Sequence, residues 1–304
     1  LHNILIVSSN FIIGFSLKTP FEEIMDKCGD IDSLKEMDLE LLPRKWELLG
    51  NVLILKLDPG LKEHWFELAE VYADVLQAKA VLRRFDIIRG VYREPGVELL
   101  VGDSGNTETI HKENKVVFKL DPLRIMFSSG NIDERIRIST MASRDEVVVD
   151  MFSGIGYFAL PIAVHSRPNQ ILACELNPKA YDYLCQNIKL NKVENIVRPI
   201  QGDNRTSLPN SVADRIIMGY LKCDRSHLES AFEILKPKGG TVHFHDVGFK
   251  DEVLESAFNK VTVALTESRF NGKFKAELAN HYYIKSFGPK LVHIVLDIKF
   301  QEIS

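Results

Sequence analysis

The chain has 304 residues, enough for one large domain or two ordinary ones. Its 45% apolar and 26% charged content is that of a globular protein, and no apolar stretch reaches the roughly 18 residues needed to cross a bilayer. A net charge of −4 excludes a global basic field for nucleic acid, so any RNA contact has to come from a local patch.

The stretch from Leu1 to Phe15 is apolar but has no basic start, so it does not read as a signal peptide. The missing initiator Met is what a fragment would show. Residues 1–45 form a segment of uncertain fold, with one expected helix over Ile31–Leu42. Residues 46–125 read as a small α+β module. Trp46–Leu57 alternates near Val52, Ile54 and Leu57 and is an expected strand. His64–Leu82 is an expected helix, with Leu68, Val71, Val75 and Leu76 on one face. Ile87–Tyr92, Val97–Val101 and Lys115–Leu120 are expected short strands. Lys79, Arg83, Arg84, Arg89 and Arg93 form a basic run interrupted by Asp86. A phosphate-holding patch and a solvated helix end explain this run equally well. Arg83 and Arg84 are its candidate RNA contacts.

Residues 126–304 alternate strand with helix. Expected strands are Glu146–Met151, Gln170–Glu175, Ile196–Ile200, Asp214–Met218 and Thr241–His245. A helix around Tyr157–Val164 follows the first strand. Asn177 can cap the next helix and Pro178 suits its first position. A further helix carries Leu228, Phe232 and Leu235, and another lies near Glu252–Thr266. Two last strands, about Asn280–Phe287 and Leu291–Phe300, meet at Gly288-Pro289-Lys290, a turn short enough to make them antiparallel. The expected fold is α/β, a doubly wound sheet with an antiparallel terminal strand, of the Rossmann-type class I methyltransferase-like layout. Ligands in such sheets bind at the carboxyl ends of the strands, where Asp150, Glu175, Asp203 and Tyr220 all fall.

The stretch Val147-Val-Val-Asp-Met-Phe-Ser-Gly-Ile-Gly-Tyr-Phe-Ala159 is a buried strand feeding a glycine turn. Its Gly-x-Gly-x-x-Ala spacing suits a dinucleotide as well as an adenosine ligand. A carboxylate as close as Asp150 would repel a diphosphate and favour a cation such as the sulfonium of S-adenosylmethionine. Glu175 lies 19 residues after Gly156, where a carboxylate can accept ribose hydroxyls. Asp203-Asn204 could bond the adenine edge, or simply form a turn. Ser128 and Ser129 are candidate helix caps. Arg135 could pair with a ligand carboxylate. Cys28, Cys174, Cys185 and Cys223 are too scattered for a zinc pattern and read as buried free thiols in a reducing cytoplasm. His243 and His245 share a strand face but lack a clear third ligand, so no metal is expected.

Six segments in order carry a more specific resemblance. They are Leu42-Pro-Arg-Lys-Trp-Glu-Leu-Leu-Gly50, Phe127-Ser-Ser-Gly-Asn131 with Glu134-Arg135, Asp150-Met-Phe-Ser-Gly-Ile-Gly-Tyr-Phe158, Glu175-Leu-Asn-Pro178, Asn187-Ile-Lys-Leu-Asn191 and Ile217-Met-Gly-Tyr-Leu221. Together they closely resemble the tRNA wybutosine-synthesising protein 2 family of aminocarboxypropyltransferases, in a eukaryotic and fungal-like form. That family is related to the tRNA guanine N1-methyltransferases. The resemblance spans about residues 42–300. It implies transfer of the 3-amino-3-carboxypropyl group of S-adenosylmethionine to a carbon of the tricyclic wybutosine precursor base, next to the anticodon of tRNA(Phe), with release of 5′-methylthioadenosine. It maps ligand binding onto Ser128, Arg135, Glu175, Asp203 and Asn204. Met218-Gly219-Tyr220-Leu221 lacks the amide and proline that amino-directed methyltransferases carry after their fourth strand. The catalytic base is unidentified, with Asp150 and Tyr220 as candidates for orienting the ligand and stacking on the acceptor. The alternatives are a tRNA guanine N1-methyltransferase, an NAD-dependent dehydrogenase and a non-catalytic RNA-binding module.

Overall fold

The computed structural model describes residues 18–85 and 90–303. The apolar start Leu1–Phe15, Asp86, Arg89 and the beginning of the expected strand Ile87–Tyr92 lie outside them. Thr19 opens the first helix, α1 (Pro20–Asp30). Its hydroxyl accepts the N–H of Glu22, the Glu22 carboxylate accepts the N–H of Thr19, and Pro20 takes the first helical position. The helix expected over Ile31–Leu42 is instead two separate 3-10 turns, Asp32–Leu34 and Leu39–Leu41. Asp38 accepts the N–H of Glu40, a local bond that competes with a continuing helix.

The expected strand Trp46–Leu57 is a hairpin, β1 (Glu47–Leu49) and β2 (Val52–Leu55), turned at Gly50 with φ of +56°. The helix α2 (Trp65–Val75) buries Leu68, Val71 and Tyr72. It ends well short of Leu82. Gln77 turns the chain at φ +52°, and the buried run Ala80-Val-Leu begins β3 (Ala80–Arg84). A 4-stranded sheet results, ordered β1-β2-β3-β4, with β4 (Val97–Val101) at its edge. β2 and β3 are parallel, and α2 is the crossover between them.

A second hairpin follows, β5 (Thr109–Glu113) and β6 (Val116–Leu120), turned by Asn114 and Lys115 at positive φ. Only β6 is legible in the sequence. The buried positions of β5 are Thr109 and Glu113, both polar, so no apolar alternation marks it. The hairpin falls within the 46–125 segment, yet it docks on a helix of the larger sheet. That helix is α5 (Pro178–Leu190), whose Asn187, with Asn191 at its C-cap, acts as a substitute strand for β6. Asn187 Oδ1 accepts the Lys119 N–H (2.7 Å) and its Nδ2 donates to the carbonyls of Lys119 and Ile155, both at 3.1 Å. Asn191 does the same for the N–H and carbonyl of Val117, at 2.9 and 2.7 Å.

The rest of the chain builds the larger sheet. Its elements are α3 (Ile132–Ser139), β7 (Val147–Asp150), α4 (Ala159–His165), β8 (Gln170–Glu175), α5 (Pro178–Leu190), β9 (Val197–Gln201), α6 (Asn204–Ser207), β10 (Arg215–Met218), α7 (Arg225–Ile234), β11 (Gly239–Phe249), α8 (Val253–Thr266), β12 (Phe274–Ser286) and β13 (Leu291–Glu302). The 7-stranded order is β12-β13-β11-β10-β7-β8-β9. Only β13 runs against its neighbours, pairing antiparallel with both β11 and β12. Successive residues of β7 face opposite layers: Val148 packs with Ile155, Leu160 and Leu184, Val149 with Ile216 and Phe232. The winding reverses between β7 and β10, and a crevice opens there at the strand carboxyl ends.

Asn187 is fully buried, and truncation would strand three backbone groups. Asn187→Ala is expected to cost about 2–4 kcal/mol in urea unfolding, from buried groups left without partners. An unchanged unfolding midpoint would show that the hairpin does not depend on this amide.

Candidate ligand cavity at the strand ends

The turn after β7 is tied down by two carboxylates. Gly154 and Gly156 adopt φ of +56° and +103°, and a Cβ at either would overlap the Tyr157 ring or the Leu160 side chain. The Gly154 N–H donates to Glu175 Oε2 and the Asn177 N–H to Oε1, each at 2.7 Å. Asp150 accepts the N–H of Phe152 at 3.3 Å and that of Ala159, the first residue of α4, at 3.2 Å. Asp150 is wholly buried and does not line the crevice. The sequence suggested that it faces the ligand; the structure has it holding the turn from behind. The effect on ligand choice survives by another route. An anion at this helix start would need N–H groups that Asp150 and Glu175 have already taken.

The crevice is a cavity of about 500 Å³, the size of a small-molecule site. Ser128, Arg135, Glu175, Asp203, Asn204 and Tyr220 all line it. Burial pushes the Glu175 carboxyl up, against the N–H groups of Asn177 and Gly154 that favour its ionised form. Asp203 caps α6 by accepting the Arg205 N–H at 3.0 Å. The Arg205 guanidinium also holds its carboxyl down, to about 2. Asn204 Nδ2 donates to the Met151 carbonyl at 2.9 Å, while its Oδ1 is buried with no partner. Tyr220 stacks on Phe152, ring centroids 5.1 Å apart.

Ser128 makes no cap bond to α3 or to the 3-10 turn that precedes it, so the expected capping role is not what holds it. Its carbonyl accepts Arg135 Nη1 (2.7 Å) and its hydroxyl accepts Lys285 Nζ (3.1 Å). Arg135 is buried, and its Nε and Nη2 form a two-pronged pair with Glu113 of β5, both bonds at 2.6 Å. The carboxylate that the sequence sought for Arg135 is thus supplied by the chain itself. Arg93, which the sequence placed in the basic run, also lines the cavity, together with Lys285 and His293, neither of which was legible as a site residue. Sheet pairing brings the last two in: Lys285 on β12 lies opposite His293 on β13.

Arg83 and Arg84 lie on β3, outside the cavity lining. Arg83 pairs with Glu98 and stacks 4.0 Å from the Trp65 ring centroid; Arg84 pairs with Glu47 at 2.6 Å. The histidine pair on β11 serves the sheet. His243 bridges Asp297 (2.5 Å) and Arg215 (2.7 Å), and His245 bonds His293 at 3.0 Å. Among the described residues no group of His, Cys, Asp or Glu is arranged to hold a metal ion.

Burial raises the Asp150 carboxyl to about 7, above its unfolded value of about 4. Its protonated form therefore favours folding. That contribution is whole below about pH 4 and fades as pH rises through the folded value. The melting temperature of Asp150→Asn relative to wild type should rise between pH 5 and pH 8. A gap that stays constant with pH would contradict this role.

Residues 109–271 match the TRM5/TYW2 methyltransferase domain, and residues 31–105 match the TYW2 N-terminal domain. The tRNA(Phe) (4-demethylwyosine(37)-C(7)) aminocarboxypropyltransferase of Methanocaldococcus jannaschii is 40% identical over 266 residues, covering 85% of this chain and 99% of that protein. The tRNA (guanine(37)-N(1))-methyltransferase Trm5b of Pyrococcus abyssi is 32% identical, covering 98% and 88%. The crystal structure of Pyrococcus horikoshii TYW2 in complex with MeSAdo superposes with a TM-score of 0.80 at 36% identity, over 91% of this chain and 99% of that one. The chain belongs to the TRM5/TYW2 methyltransferase family and carries the N-terminal domain of its TYW2 branch.

Proposed function

We propose that the protein transfers the 3-amino-3-carboxypropyl group of S-adenosylmethionine to a carbon of the tricyclic wybutosine precursor base, next to the anticodon of tRNA(Phe), with release of 5′-methylthioadenosine. The observation that carries this reading is similarity at 40% identity, over 85% of this chain and 99% of the relative, to a protein named for that transfer. The end of β10 agrees with it. Met218-Gly219-Tyr220-Leu221 offers no side-chain amide to hold a planar nitrogen acceptor.

The cavity residues fit an adenosine. Each Glu175 oxygen accepts one backbone N–H and keeps capacity for a ribose hydroxyl. The unpartnered Oδ1 of Asn204 suits the adenine amino group, with Asp203 beside it. Ser128 and Arg135 shape the wall for the amino-acid end. S-adenosylmethionine bound there supplies a sulfonium that activates each of its three carbons. The residues of the chain decide which carbon reacts, because displacement needs the acceptor in line at about 3–3.5 Å. Tyr220, backed by Phe152, presents an aromatic surface for an acceptor base drawn out of its stack.

The runner-up, guanine N1-methylation, rests on the 32% identity to Trm5b. S-adenosylmethionine labelled in the carboxyl carbon separates the two on precursor tRNA. Label entering tRNA is the expected result; label recovered only in S-adenosylhomocysteine refutes the transfer. In the same assay Tyr220→Ala should lose at least tenfold in kcat/KM, and unchanged kinetics would remove the stacking role.

The segment 46–125 is proposed to help grip the tRNA backbone, with Arg83 and Arg84 as its phosphate contacts. Both would have to exchange a carboxylate partner for phosphate. Charge reversal at the two positions should weaken binding and reduce the slope of log affinity against log salt by about two. Unchanged binding across a salt series refutes those contacts. A cytoplasmic location is supported by the four free cysteines. Among the described residues no helix is long and apolar enough to cross a membrane.

A further inference from the structure

The cavity is electrically polarised. Glu175 and Asp203 lie toward the ends of β8 and β9, while Arg93, Arg135 and Lys285 line it together with Ser128. The cations differ in how they are compensated. The charge of Arg135 is matched by the Glu113 carboxylate, and three of its N–H groups are taken by Glu113 and the Ser128 carbonyl. Lys285 has no carboxylate within ion-pair distance among the described residues, and its one polar partner is the Ser128 hydroxyl. The acid that acts on it through space is Glu47, which is paired with Arg84. Its stem lies over Gly130, where a Cβ would sit 3.4 Å from Lys285 Cδ. Burial, together with the neighbouring Arg135 and Arg93, lowers its ammonium below the usual lysine range. A half-buried ammonium facing two other cations is costly unless an anion enters beside it.

We propose that Lys285, with Ser128, holds the carboxylate of the aminocarboxypropyl chain and so determines which carbon of the sulfonium faces the acceptor. This rests on the function proposed above. The adenosine is anchored at the acidic end of the cavity and the carboxylate at the basic end. With both ends fixed, the chain between sulfur and carboxylate is stretched across the pocket, and its Cγ is presented in place of the methyl group. Arg135 acts one step back, by fixing the Ser128 carbonyl and the loop that Lys285 reaches.

Equilibrium binding tests the proposal without turnover. By titration calorimetry, Lys285→Met should weaken S-adenosylmethionine at least tenfold and leave 5′-methylthioadenosine, which has no carboxylate, within twofold of wild type. Lys285→Arg should restore most of the lost affinity. Equal loss for both ligands, or no loss for either, overturns the proposal. Weakened tRNA binding with unchanged S-adenosylmethionine affinity also overturns it, and assigns Lys285 to a phosphate. If Lys285→Met does not fold, the wild-type protein decides. It should bind decarboxylated S-adenosylmethionine at least tenfold more weakly than S-adenosylmethionine, and equal affinities overturn the proposal. A wild-type protein that binds neither S-adenosylmethionine nor 5′-methylthioadenosine would fail the functional reading itself, an outcome distinct from the failure of Lys285.

Discussion

The cavity depends on how two carboxylates use up the backbone donors of one turn. Asp150 takes the amides of Phe152 and Ala159 from behind, and Glu175 takes that of Gly154 from the side while its other oxygen accepts the Asn177 N–H at the start of α5. A turn of glycines at positive φ is conformationally permissive. With its N–H groups bound to fixed acceptors it has little freedom left. The same bonds set the chemistry of the pocket. A helix start with free N–H groups invites phosphate, whereas this one has its first amide occupied and an acid at its flank. The Gly154 and Ala159 amides that a phosphate would need are thus already held by two side chains of the fold.

Much of the larger sheet was legible because parallel strands buried on both faces leave continuous apolar runs. Gln170–Glu175 is such a run, ended by an acid, and its observed bounds are the expected ones. Asn177 and Pro178 open α5 as their chemistry requires, with Asn177 Oδ1 accepting the Lys179 N–H at 3.0 Å. The smaller sheet was harder. In Trp46–Leu57 a tight glycine turn sits inside what looks like one strand, and in His64–Leu82 an apolar helix face runs into an apolar strand without a break in hydrophobicity. Burial periodicity cannot separate those cases; the positive φ of Gly50 and Gln77 does.

For the site, the division follows sequence distance. Glu175, Asp203 and Asn204 stand at strand ends that local pattern defines, so their presence in the cavity was readable. Arg135 was readable as a partner for a carboxylate, and family resemblance placed it with Ser128 at the ligand. Glu113, Lys285 and His293 come from a hairpin and a terminal strand pair whose register no local pattern encodes. Asn187 and Asn191 belonged to a recognisable segment without an evident reason. Their reason is structural: four residues apart on one helical face, they complete the unpaired edge of β6.

β5 has a mechanical consequence. At one end, Thr109 Oγ1 bonds the Asn51 side chain at 2.9 Å and accepts its N–H at 3.2 Å, so the strand is pinned to the turn of the first sheet. At the other, Glu113 grips Arg135 in the cavity wall. Five extended residues between those pins make a strut of about 14 Å. Rotating the N-terminal sheet against the catalytic sheet would pull on the salt bridge that forms the wall, or tear Thr109 from Asn51. The two sheets are tied through one short strand, and that tie ends in the wall of the pocket.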